Sequence, residues 1–230
     1  MIIKSSTVSK IQYIEGYKNM QELDARTYWD TVPGPYQHGP HKHRMYMLNL
    51  LQEKGIQTIL DDGCGTGPLY EIIKNNHLPF DYKGVDYSKH FIDIAKEVFP
   101  EAIFEVQDMR HLDEPDDTFD CVVMLHSLDH VKEFDKAIAE AARVSTKYVC
   151  IVLWRAFSNG ETQINDRNMM DKKPGEEPWK DTYLMQYTRE DLEREFKKNN
   201  LTIELTAEGD ELNSDQCRYN FLFLLKKESL

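Results

Sequence analysis

The run Thr58-Ile59-Leu60-Asp61-Asp62-Gly63-Cys64-Gly65-Thr66-Gly67-Pro68 decides how the rest of the chain is read. It opens as a short strand, turns through three closely spaced glycines, and places Pro68 where the first residue of a helix would stand. Glycines let the backbone reverse sharply and let a ligand press against it, so the run fits a nucleotide-binding turn between a strand and a helix. A tight turn with no ligand is the plainer alternative. Spacing narrows the choice of nucleotide. A dinucleotide fingerprint needs Gly or Ala at the last position of G-x-G-x-x-G, and counting from Gly63 that position is Pro68. Asp61, at the end of the strand, would repel a bound pyrophosphate and attract an ammonium or sulfonium group. Together these features disfavour NAD and favour a cationic nucleotide that carries an amino acid.

Outward from this turn the chain alternates between strand and helix patterns. Upstream, His41 to Lys54 carries a partial helical stripe of Met45, Met47, Leu48 and Leu51, with Gly55 as its stop. Downstream, Leu69, Ile72 and Ile73 mark a helix behind Pro68, and Tyr82–Asp86 reads as a second strand. Ser88 is placed to cap a helix through Phe99, and Ala102–Gln107 is a third strand. Phe119–Leu125 is apolar almost throughout, as a strand covered on both faces must be. A helix over Lys132–Val144 and a strand over Tyr148–Leu153 follow. This alternation predicts an α/β fold with a parallel sheet and helices on both faces. The rhythm then breaks at Arg155–Tyr187, a long polar stretch containing Pro174-Gly175-Glu176-Glu177-Pro178. Thr188 with Asp191 forms a capping sequence for a helix to about Asn199, and Leu201–Leu205 and Tyr219–Lys226 close the chain as strands.

Two further acids stand at strand ends. Asp86 closes the second strand about twenty residues after the glycine turn, where a carboxylate accepts both hydroxyls of a ribose. An ordinary helix-capping Asp is the alternative. Asp108, in Val106-Gln107-Asp108-Met109-Arg110, is placed to accept the exocyclic amine of adenine with Met109 packed on the ring; a turn Asp beside a core Met fits equally well.

The order of glycine turn, ribose acid, adenine acid and apolar fourth strand, followed by Leu125-His126-Ser127-Leu128-Asp129-His130-Val131, resembles the class I S-adenosylmethionine-dependent methyltransferases, and within them the small-molecule branch. The resemblance covers about residues 45–226 and includes Gln186-Tyr187-Thr188-Arg189-Glu190-Asp191-Leu192 with its two closing strands. It implies a Rossmann-like, seven-stranded, mostly parallel sheet whose last strand is antiparallel. It implies S-adenosylmethionine as cofactor and S-adenosylhomocysteine as product. By matching motifs, Asp61, Gly63, Gly65 and Gly67 would line the methionine part, Asp86 and Tyr87 the ribose side, and Asp108 and Met109 the adenine. Leu125 and His126 would lie beside the methionine moiety. Asp62 departs from the pattern, standing where the family usually has an apolar residue.

The expected organisation is an N-terminal cap segment over 1–44 and a methyltransferase domain over 45–230, with a lid-like insertion at about 155–187. In resembling enzymes the cap and the insertion cover the pocket and choose the acceptor. Here they carry Tyr28, Trp29, Asp30 and Arg44, and Trp154, Trp179 and Tyr183. Those aromatics serve either to clasp an acceptor or as ordinary core anchors. Arg44 is a candidate for the cofactor carboxylate. A base is needed only if the acceptor must lose a proton, and His126, Asp129 and His130 are the candidates, the two histidines four apart on one expected helical turn. The alternative to an enzyme is a non-catalytic binding or regulatory protein on the same fold.

Composition bounds the partners. With 40 acidic and 28 basic residues the 230-residue chain has a formal net charge of −12, which opposes nucleic acid and anionic membranes. At 40% hydrophobic residues the chain has material for a core. No apolar run is long enough to span a bilayer, and no secretory signal is evident, so the expectation is a soluble, cytoplasmic chain acting on a small molecule. The four cysteines, Cys64, Cys121, Cys150 and Cys217, form no C-x-x-C pair and read as reduced thiols. No metal is expected: His126-Ser127-Leu128-Asp129-His130 is not H-E-x-x-H, and His38, His41 and His43 read as a histidine-rich turn.

Overall fold

The structure, a computed structural model, describes residues 42–153, 157–166, 183–208 and 221–228. Tyr28, Trp29, Asp30, His38, His41, Trp154, Trp179 and Cys217, and the Pro174–Pro178 run, lie outside the described residues.

Helix α1 (Lys42–Glu53) leads into β1 (Thr58–Asp62), α2 (Pro68–Asn75), β2 (Asp81–Asp86), α3 (Lys89–Val98) and β3 (Ile103–Val106). Then come β4 (Phe119–Leu125), a single 3-10 turn (Leu128–His130), α4 (Phe134–Val144) and β5 (Ser145–Leu153). The short strands β6 (Gln163–Asp166) and β7 (Tyr183–Gln186), helix α5 (Arg189–Lys198), β8 (Leu201–Glu208) and β9 (Phe221–Lys227) complete the described elements. Seven strands form one sheet in the order β3-β2-β1-β4-β5-β9-β8. The first five pair in parallel, and β9 runs antiparallel to both β5 and β8. This is the mixed, mostly parallel sheet expected.

Strand periodicity divides the core. Ile59, Cys121, Val123, Cys150, Val152, Leu222 and Leu224 face one side, where α1, α2 and α3 deliver Met47, Leu48, Leu51, Ile72, Ile92 and Ala95. Leu60, Val122, Met124, Val149, Ile151, Phe223 and Leu225 face the other, under Ala137, Ile138 and Ala141 of α4 and Leu192 and Phe196 of α5. Burying a side chain of this size contributes about 1.5–3 kcal/mol, which is why β4 and β5 read as near-continuous apolar runs. Parallel pairing in adjacent order carries the C-terminal tips of β1, β2, β3 and β4 to one edge of the sheet, so the three strand-end acids and the turn after β4 share an edge.

Two differences from the sequence reading have local causes. β5 begins at Ser145, directly after α4, because Ser145 is fully buried and its Oγ donates to the Ala142 carbonyl, so no loop intervenes. The polar stretch after β5 contains two strands, β6 and β7, paired antiparallel in a sheet of their own. Just beyond them Tyr187 is buried and its hydroxyl donates to the Leu128 carbonyl at 2.6 Å, which ties this hairpin to the turn after β4. Among the described residues no helix is long and apolar enough to cross a membrane.

The expected caps are present. Ser88 Oγ accepts from Phe91 N at 3.2 Å and Thr188 Oγ1 accepts from Asp191 N at 3.0 Å. Replacing Thr188 by Ala leaves the first turn of α5 short of an acceptor, and Thr188→Ala is expected to lower stability by about 1 kcal/mol. Urea unfolding measures this; an unchanged midpoint would show that the cap carries no stability.

Candidate functional site

The glycine turn is built by close packing on one side and open space on the other. Gly63 has φ 88°, and a side chain there would overlap the Cβ of Ser127. Ser127 Oγ also donates to the Asp62 carbonyl at 2.6 Å, so the segment after β4 is fastened onto the turn. Gly65, at φ 57°, is different: nothing lies within 4 Å of the position its Cβ would take. Its amide donates to Asp86 Oδ2 at 2.8 Å, and Asp86 Oδ1 accepts from Ser88 N at 2.8 Å. The half-buried Asp86 carboxylate is thereby held beside an open glycine, with both oxygens anchored and the turn clear of side chains. Gly67 precedes α2 and packs against Phe99 and Phe104, so it supports the turn from beneath.

Asp61 and Asp62, adjacent on β1, point to opposite faces of the sheet, and each is only 2% exposed. Asp61 Oδ2 accepts from the Tyr82 hydroxyl at 2.7 Å. Gly84 stands opposite Asp61 in the β1–β2 register. Burial pushes the Asp61 carboxyl up to about 7, while Tyr82 and the nearby Arg44 pull it down. Arg44, on α1, is itself buried, with Asp61 and Glu71 acting on its charge; burial lowers its guanidinium to about 10. A buried cation and a buried acid therefore face the methionine end of the expected trough. Asp62 lies on the α4 side. Its Oδ2 has no hydrogen-bond partner, and burial, followed by Asp61, Asp86, Asp108 and Glu140, raises its carboxyl well above the usual range.

Asp108 is paired with Arg110. Arg110 donates to it from the backbone N at 3.0 Å, from Nε at 2.9 and 3.2 Å, and from Nη2 at 2.6 Å. The Nε–H is shared between the two oxygens, so three N–H groups engage a carboxylate that is 31% exposed. Burial opposes ionisation of Asp108, yet Arg110 outweighs it and holds the carboxyl below its ordinary value. Arg110 also reaches Glu133 at 2.7 Å. The sequence contained the signal, a basic residue two positions on, but not the geometry. Met109 lies under the glycine turn, its Cε 3.5 Å from the direction of a Gly63 side chain. Tyr87 is 37% exposed at the tip of β2, where a sugar or base could cover it.

The histidines are also rearranged. His126 is not on a helical turn with His130, because the 3-10 turn begins only at Leu128 and His126 has the left-handed φ of 59°. The shared helical face expected from their spacing is therefore absent. His126 instead meets His43 of α1, Nε2 to Nε2, at 3.3 Å. Leu125 is half-buried against the α1–α3 side of the core. Cys64, Cys121 and Cys150 are buried free thiols. Among the described residues no three metal-ligating side chains converge.

Residues 60–149 match the Methyltransferase domain family, spanning β1 through most of β5 and so the whole edge described above. Over these residues the chain is similar to methyltransferases. Ubiquinone/menaquinone biosynthesis C-methyltransferase UbiE of Campylobacter jejuni is 30% identical over 106 residues, 44% of this chain and 45% of that protein. Phosphatidylethanolamine N-methyltransferase of Cereibacter sphaeroides is 33% identical over 109 residues, 44% of this chain and 51% of that protein. The chain thus spans about half the length of the curated relatives it matches. Magnesium protoporphyrin IX methyltransferase from Synechocystis PCC 6803, solved with bound S-adenosylhomocysteine, shares the fold at a TM-score of 0.57 and 17% identity, over 95% of this chain and 94% of that one.

Asp62 gives a measurable consequence. Its folded-state carboxyl titrates above its unfolded value, so the unfolded chain releases the proton first. Stability is then lost as pH rises from about 4 toward the folded value. Asp62→Asn cannot ionise, and urea unfolding should show it gaining on the parent protein as pH rises above the ordinary carboxylate value of about 4. A difference that does not change with pH would mean that Asp62 ionises freely.

Proposed function

We propose that this chain is a methyltransferase that transfers the methyl group of S-adenosylmethionine to a small-molecule acceptor, with the cofactor held along the tips of β1, β2 and β3. The observation that carries the reading is the Asp86 carboxylate anchored to Gly65 N at 2.8 Å beside the one face of the glycine turn that is free of side chains. Two ribose hydroxyls can donate to such a carboxylate while the sugar lies over Gly65. Tyr87 flanks that position. Asp61 and Arg44 offer charges of opposite sign, suited to an α-ammonium and an α-carboxylate. In this reading Met109, not Asp108, contributes the larger share to the adenine end, by packing.

Bound there, S-adenosylmethionine supplies an electrophilic methyl group on a sulfonium. The protein's task is to align an acceptor with it and exclude water. The turn after β4 and the β6–β7 pair, joined through Tyr187, border the same edge, and we assign to them the covering of the acceptor. The relatives named above act on carbon and nitrogen acceptors by their names, and the acceptor atom here is left open between oxygen, nitrogen, carbon and sulfur.

Calorimetric titration tests the cofactor site. S-adenosylhomocysteine is expected to bind with an affinity of about micromolar and NAD not at all; binding of NAD alone would overturn the reading. Asp86→Ala removes a charged hydrogen-bond acceptor and should weaken S-adenosylhomocysteine by about 1–3 kcal/mol. An unchanged affinity would take Asp86 out of the site.

A further inference from the structure

His43 and His126 are 83 positions apart in sequence, yet their Nε2 atoms are 3.3 Å apart, with ring centroids at 5.1 Å and planes at 74°. His43 is only 6% exposed, in the first turn of α1. His126 is held at φ 59° with its amide donating to the Val152 carbonyl at 2.9 Å, and its neighbour Ser127 is wedged against Gly63. A non-glycine residue in the left-handed region at a strand tip is a costly conformation that the surroundings must enforce. The enforced conformation accompanies the approach of the His126 ring to His43, next to the glycine turn.

Two imidazole Nε2 atoms at this distance cannot both carry a proton aimed at the other. One donates and the other accepts, so the two rings form one coupled acid–base unit rather than two independent histidines. We propose that His43 and His126 together take up the proton released by the methyl acceptor; this rests on the cofactor reading above. The acceptor class follows: a nucleophile bearing an ionisable O–H or N–H. Its oxygen or nitrogen forms the bond to the methyl carbon, the carbon–sulfur bond breaks with its electron pair going to sulfur, and the proton passes to the imidazole pair. The single positive charge moves from sulfonium to imidazolium, and S-adenosylhomocysteine is left neutral at sulfur. Among the described residues, the charged and titratable groups on the segments that carry the pair are Arg44 next to His43 and Asp129 and His130 after His126; Asp61 and Glu71 act on Arg44, and Tyr82 and Asp86 on Asp61.

A pair close enough to serve as base must also sense the sulfonium. S-adenosylmethionine and S-adenosylhomocysteine share the ammonium, carboxylate, ribose and adenine, so Asp61, Arg44 and Asp86 act on both in the same way. Their affinity ratio isolates the charge on sulfur. Calorimetry on the whole chain from about pH 5.5 to about pH 8.5 should show S-adenosylmethionine weakening about tenfold relative to S-adenosylhomocysteine on acidification, as the pair gains its proton. In the double variant His43→Gln/His126→Gln, which keeps amide hydrogen-bonding groups but no ionisable ring at either position, the ratio should be flat. A flat ratio in the parent protein, or a slope that survives in the double variant, overturns the proposal. Loss of binding by both nucleosides at pH 8 fails the cofactor reading instead, and the proposal with it. NMR titration of the parent protein gives a readout independent of the variants. Two of the eight histidines should titrate in coupled steps separated by more than about one pH unit. Eight independent curves would overturn the pair.

Discussion

The contact between Ser127 and Gly63 is the constraint on which the site depends. A side chain at Gly63 and the observed position of Ser127 exclude each other, and the Ser127 hydroxyl closes the junction by donating to the Asp62 carbonyl. The tip of β4 is thereby locked to the turn after β1. From that junction the amide of Gly65 faces Asp86 of β2, and His126 is turned toward α1. The parallel sheet supplies the shared edge, and this contact sets the register of the turns along it.

Charge is distributed along that edge with unequal consequences. Asp86 is held by backbone donors and remains half-buried, the state in which a carboxylate can still receive a ligand's hydroxyls. Asp108 is paired with Arg110. Asp61 is buried against Tyr82 and answered by Arg44, which oppose the upward push of burial on its carboxyl. Asp62, one residue further along the strand, has no such answer and is favoured in its neutral form. Four acids at strand ends thus sit in four environments, decided by which donor lies within reach of each.

The second tie is Tyr187. Its buried hydroxyl reaches the Leu128 carbonyl, so the chain returning from the insertion is fixed to the turn that carries His126. In the proposed reading the acceptor side draws on α1, the β4 tip and the β6–β7 pair, elements far apart in sequence, while the cofactor side comes from consecutive strands. This division matches the extent of the domain match, which ends within β5.

What the sequence determined by itself is local and periodic. The limits of β4, Phe119–Leu125, follow from a run that is apolar at every position but Asp120. Ser88 and Thr188 cap their helices because a hydroxyl at that position has a backbone donor three residues on. The seven-stranded, mostly parallel sheet follows from alternating patterns together with the family resemblance. Only the tertiary structure decided the rest. It paired Asp108 with Arg110, put Asp62 on the far face, separated His126 from His130 and joined it to His43, and found β6 and β7 within a polar stretch. Hydrophobic period and capping act within a few residues and leave their pattern in the chain. The partner of a buried polar group is set by which elements meet across the sheet edge, and a helix and a strand tip that lie 83 positions apart carry no mutual pattern to reveal it.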